Sequence, residues 1–182
     1  MRTGTKVYVA VFAALATALA VTATVRAAGD KVAFPQDYAK GVLYWVQDRP
    51  NANNPANSQL REYYTSQAAI DAAKAGQPLP NGTVITVVQY NIELDAQKMP
   101  VKDANGRFIK TDIRGYTAMQ KQTGWGAEYA ADKRNGEWEY QSFTVAKTAN
   151  AMADLNTCFT CHKKQEAADF VFSYDNLKAP SR

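Results

Sequence analysis

The chain's only two cysteines and only histidine fall within five consecutive residues, Cys158-Phe159-Thr160-Cys161-His162, and no other feature constrains it as tightly. Two residues between the thiols let one helical turn present both sulfurs on the same side. With histidine directly following, this is the spacing of haem c attachment. The thiols reach the two vinyl groups along one porphyrin edge, and the imidazole swings under the iron as its proximal ligand. Three other chemistries compete for the motif. A closed zinc site wants four ligands and would have to recruit carboxylates. A redox-active CxxC pair suits an oxidising compartment, but such pairs open the first helix of a βαβ unit, and this one sits near the C-terminus. A structural disulfide across two residues would constrain little of the unfolded chain. The lone histidine excludes a second imidazole on the iron. A sixth ligand could come only from Met99, Met119, Met152, a lysine or water, or the position stays open, and isolated methionines are more often core filler.

The opposite end reads as a targeting segment. A short basic start containing Arg2 and Lys6 precedes an Ala-rich apolar run from Val7 to Val21, then Val25-Arg26-Ala27-Ala28 with small residues at cleavage spacing. Residues 1–27 are therefore expected to be a signal peptide and 28–182 a single haem c domain, exported to the periplasm. An uncleaved anchor is the alternative, for which the run is short and weakly apolar. Of 21 basic side chains, Arg2, Lys6 and Arg26 leave with the signal, so 18 face 17 acidic ones. That balance leaves no basic patch, and nucleic acid is excluded as a partner.

Between the two ends the pattern is that of an α+β chain: an antiparallel β-sheet with flanking helices, the haem c attached near the C-terminal helix. Phe34 to Val46 reads as an amphipathic helix, followed by a Pro- and Asn-rich loop from Asp48 to Ser58. Leu60 to Thr65 is a short strand, and Ser66 to Gly76 a capped helix closed by glycine. Thr83 to Ile92, dense in β-branched residues, is the clearest strand. Asn105-Gly106 marks a hairpin turn. Ile113 to Gln122 and Trp138 to Val145 follow as strands, and Ala151 to Ala168 as the helix bearing the cysteines. The stretch from Asp169 to Tyr174 is too apolar to hang free and is expected to pack back on the body.

The segments CFTCHKKQEAADFVFSY, PLPNGTVITVVQY and YTAMQKQTGWGAEYAADKRNGEWEYQSF together resemble the cytochrome P-460 family, which takes in the cytochromes c′-beta. The resemblance runs from about Phe34 to Leu177. It implies an antiparallel β fold with one covalently attached haem c, held by Cys158, Cys161 and His162, and frequently a homodimer. It also implies a five-coordinate iron and a chemistry of hydroxylamine, nitric oxide or NO and CO binding.

Two positions depart from the family. Its hydroxylamine-oxidising members cross-link a strand lysine to the porphyrin, and Val87 stands where that lysine would be. No lysine occurs between Lys74 and Lys98, so a register shift does not restore it. Gln120 falls where some relatives carry a distal carboxylate; an amide would orient a ligand without taking its proton. Val87 and Gln120 are thus the distal-pocket candidates, Gln120 having a solvated strand position as its alternative. Arg61 aligns with a family arginine and could pair with a haem propionate; a surface ion pair with Glu62 or another neighbour is the ordinary explanation. The resemblance leads to an exported mono-haem cytochrome with an open distal site that binds or transforms NO or related nitrogen oxides, with a periplasmic electron donor or acceptor. A P-460-type hydroxylamine or NO oxidoreductase and a six-coordinate periplasmic electron carrier are the alternatives.

Overall fold

The computed structural model describes residues 31–181. The expected signal peptide therefore lies outside the described residues. Five strands, β1 (Val42–Arg49), β2 (Gln59–Thr65), β3 (Val84–Ile92), β4 (Lys110–Lys121) and β5 (Trp138–Phe143), form one sheet in sequence order, each antiparallel to the next. Among the described residues three α-helices accompany it: α1 (Gln67–Lys74), α2 (Leu155–Lys163) and α3 (Tyr174–Lys178).

β2, β3 and α1 form where the β-branched run and the helix cap place them. Ser66 caps α1 by accepting from the Ala69 amide at 3.3 Å, as an N-cap serine does. The expected helix from Phe34 to Val46 is not there. Only Tyr38–Lys40 makes a 3-10 turn, and Val42 onward is a strand paired with β2. The spacing that suggested a helix is overridden by a run of Val, Tyr and Trp, which fit a pleated sheet surface better. Gly41 admits the strand: a Cβ there would lie 2.6 Å from the Thr65 carbonyl oxygen. The helix expected from Ala151 to Ala168 shortens to α2, because Asp154 caps its start (Oδ1 to Asn156 N, 3.0 Å) and a separate 3-10 turn, Glu166–Ala168, follows it.

Strand alternation divides the side chains between two faces. On one face Tyr44, Tyr63, Ile85, Met119, Trp138 and Tyr140 pack with Phe159 of α2 and with Phe170, Val171, Tyr174 and Leu177. On the other, Val88, Tyr116, Ala118 and Phe143 cluster with Val32, Phe34 and Tyr38. The C-terminal stretch does pack back, with Leu177 fully buried and the Tyr44 hydroxyl 2.7 Å from Ser173 Oγ. Trp138 is also fully buried at the centre of the first cluster; truncating it to alanine would cost about 3–5 kcal/mol. α2 leans on β5 through this cluster, so the sheet's helix face is where the cysteine motif sits.

Candidate functional site

The site is built from α2 outward. Phe159, between the two cysteines, is buried against Tyr140 and Tyr129, with ring centroids at 4.9 and 5.1 Å. Around that buried residue Cys158 is half-buried against the core cluster, Cys161 is exposed and His162 is half-buried. Asn135 reinforces the arrangement, its Nδ2 donating to the Phe159 carbonyl at 3.0 Å and to the Tyr140 hydroxyl at 2.9 Å. It thus ties the helix to the sheet from one buried side chain.

His162 is fixed by one polar contact and two rings. Its Nδ1 lies 2.7 Å from the Phe170 carbonyl oxygen. A carbonyl can only accept, so Nδ1 carries the proton and Nε2 keeps its lone pair, the tautomer a metal-ligating imidazole needs. Tyr140 and Phe172 flank the ring at 4.6 and 5.1 Å. Burial holds His162 below the usual imidazole range, with the Phe170 hydrogen bond opposing it; the neutral form is favoured, which is the ligating form.

The carbonyl that meets His162 belongs to an unusual turn. Asp169 and Phe170 both have left-handed backbones, with φ of 50° and 61°. Each such non-glycine residue costs on the order of 1 kcal/mol or more, and such strain gathers at functional sites. Gly136 lets the Phe170 ring in: a Cβ there would come 3.0 Å from Cε2, and Gly136 itself has φ of 60°. Asp169 is pinned from three directions, by Leu79 N at 2.8 Å, Lys121 Nζ at 2.9 Å and, more distantly, Trp138 Nε1 at 3.4 Å.

Of the competing chemistries, a redox pair wants a depressed thiol pKa, but burial raises that of Cys158, with Cys161 and Asp154 adding to the rise. Both thiols are unpaired. Among the described residues no three His, Cys, Asp or Glu side chains converge as a metal cluster, so zinc would lack its ligand set. A haem fits better: two unpaired thiols one turn apart, one half-buried and one exposed, an imidazole with Nε2 to spare, and Phe172, 55 % exposed beside it, as apolar surface for a macrocycle to cover.

The remaining candidates divide between the two faces. Arg61 and Val87 lie on the helix face with Tyr63, since Tyr63 pairs with Val87 and Arg61 is two residues along β2. Arg61 does not pair with Glu62; its Nε and Nη2 donate to Gln59 Oε1, both at 3.1 Å, and among the described residues it forms no ion pair. Burial lowers its pKa, with Tyr63 opposing. Gln120 is not brought to the site. Its neighbours Met119 and Ala118 pack in the helix-face and opposite clusters respectively, so Gln120 shares the face of Ala118, across from Glu139 on β5. Among the methionines, Met119 is core, whereas Met99 and Met152 are exposed. The sequence did not single out Asn135, Tyr140, Asp169 or Lys121 for this site.

A family model described as Cytochrome P460 matches residues 35–173. The match spans the whole sheet, α2 and the turn at Asp169, and covers well over half of the chain. The chain belongs to the cytochrome P460 family, and membership implies a haem c cofactor. No curated protein matches the chain.

Proposed function

We propose that this member of the cytochrome P460 family is an exported mono-haem c-type cytochrome whose iron keeps an open coordination site for NO or a related nitrogen oxide. In this reading Cys158 and Cys161 hold the haem covalently and His162 is the proximal ligand. The observation that carries it is the His162 contact: Nδ1 committed to the Phe170 carbonyl at 2.7 Å, beside two unpaired thiols. Haem c, when bound, supplies a redox-active iron able to take a small ligand.

The chain's own residues then have separable roles. His162 is held neutral and oriented by Phe170, Tyr140 and Phe172. Arg61, without a carboxylate partner among the described residues, is available to a propionate. Val87 carries no amine at the position where the resemblance would put a cross-linking lysine, which supports a ligand-binding role over hydroxylamine oxidation through a cross-linked haem. The lack of a second histidine supports the open position. A periplasmic electron partner, and assembly as a homodimer, complete the proposal.

Absorption spectra of the purified protein, oxidised, ferrous, and ferrous under CO, test it. A high-spin ferrous spectrum that changes with CO is expected. A sharp low-spin spectrum indifferent to CO would instead indicate a six-coordinate electron carrier, and a strongly red-shifted ferrous spectrum a cross-linked haem.

A further inference from the structure

We propose that Asp169 and Lys121 form a latch that positions the proximal imidazole, acting through the backbone of Phe170. This rests on the reading of His162 as iron ligand. Among the described residues neither side chain forms a hydrogen bond or ion pair with the cysteines or the imidazole. Asp169 Oδ1 and Oδ2 lie 3.0 and 2.9 Å from Lys121 Nζ, and Oδ2 also accepts from the Leu79 amide at 2.8 Å. Both side chains are largely withdrawn from water, at 13 % and 15 % exposure for Lys121 and Asp169. The pair thus joins the end of β4, the loop after α1 and the segment after α2 at a single carboxylate.

What the latch holds is a backbone that does not hold itself. Asp169 and Phe170 are consecutive left-handed residues without a glycine between them, a conformation that persists only where its surroundings enforce it. The Phe170 carbonyl leaves this turn and meets His162 Nδ1. Partners of a ligating histidine's second nitrogen fix its orientation and raise its basicity. Lys121 and Asp169 are therefore positioning residues: the ion pair sets the turn, the turn aims the carbonyl, and the carbonyl sets how strongly His162 donates to the metal. Asparagine tolerates left-handed backbone nearly as well as any side chain and glycine tolerates it best, so substitutions at 169 can separate backbone preference from the latch.

The test uses the haem-loaded full chain and reads the ferrous iron–histidine stretching band by resonance Raman, together with the reduction potential. Asp169→Ala and Lys121→Met should each lower the stretching frequency and raise the potential. Lys121→Arg, which keeps the ion pair, should restore both toward the parent. Asp169→Gly keeps an easy left-handed backbone without the carboxylate, and should still shift the band. Thermal unfolding of the same variants reports the purely structural part. Variants that lose stability while band and potential stay at the parent's values would overturn the latch, as would Asp169→Gly behaving like the parent. A parent with no iron–histidine band would overturn the ligand assignment and the latch together.

Discussion

The two faces of the sheet handle buried polar groups in opposite ways. Away from the helices, Glu62 accepts from the Tyr64 and Tyr90 hydroxyls at 2.9 Å each and pairs with Lys110. On the same face Glu139, fully buried, accepts from Tyr129 at 3.1 Å and pairs with Lys31 at 3.0 Å. Each carboxylate is met by tyrosine and lysine, and nothing is left over. On the helix face capacity remains: two unpaired thiols, the Nε2 of His162, an arginine with no ion pair among the described residues, and the buried Asn135 Oδ1, which has no hydrogen-bond partner among them. Buried polar groups in folded proteins are nearly always satisfied. A face that leaves several open is one shaped for a group still to be added, and the closed face is shaped for stability.

The strongest way to break that contrast is at the thiols. Cys158→Ser with Cys161→Ser should abolish haem that survives denaturation, read by haem staining on a denaturing gel. The fold should persist, since Cys161 is exposed and Cys158 only half-buried. Covalent haem remaining in the double variant would place the attachment elsewhere.

The closed face should answer in stability and stay silent in ligand binding. Glu139→Ala strands the Tyr129 hydroxyl and takes one of the two carboxylates from Lys31. It should cost roughly 2–3 kcal/mol in urea unfolding, less than for a fully buried pair because Lys31 keeps its second partner Glu128. The ferrous CO spectrum should not change. A shifted CO spectrum at equal haem content would mean that the two faces are coupled.

Acid titration sharpens the comparison within the closed face itself. Burial pushes Glu62 up, but hydrogen bonds from Lys110, Tyr90 and Tyr64 outweigh it and leave its pKa below the usual carboxylate range. Such a group adds stability above its unfolded pKa and loses it as pH falls through the lower folded value. At Glu139 burial dominates over Lys31 and Tyr129, and the pKa is raised. Its sign is reversed: the folded state gains relative stability on protonation, and that gain disappears as pH rises through the folded value. Glu62→Gln should therefore flatten the acid loss of stability, whereas Glu139→Gln should steepen it, both read from unfolding midpoints between about pH 3 and 6.

These contrasts also separate what could be read from the sequence from what could not. β3, α1 and the family were legible because each carries its signal locally, in a β-branched run, a serine cap and the quoted motif segments. The C-terminal stretch was legible from its apolarity. β1 was not, since its strand character depends on pairing with β2, a tertiary event that outweighs local periodicity. The turn at Asp169 was hidden for a different reason: neither residue is glycine, and its left-handed backbone is imposed by Lys121 and Leu79, distant in sequence. The facing of Gln120 was a matter of parity, because one residue of register reverses every side chain on a strand.

Gln120 supplies the smallest expected effect and the finest test of the face assignment. It lies beside Met119, whose cross-strand partner Tyr140 meets the His162 ring, and yet it shares the face of Ala118 and Glu139. Proximity along the chain would make it a distal residue, and strand alternation makes it a bystander. Its side chain forms none of the polar contacts that close Glu62 and Glu139, so Gln120→Ala should change stability by no more than about 0.5 kcal/mol. Gln120→Glu puts a titratable group at this position, and from this face it should add no pH dependence to CO binding by the ferrous protein. CO affinity measured for both variants across neutral pH decides the matter. A pH-dependent affinity in Gln120→Glu would put that carboxylate within reach of the bound ligand, and the division of roles between the faces would fail at β4.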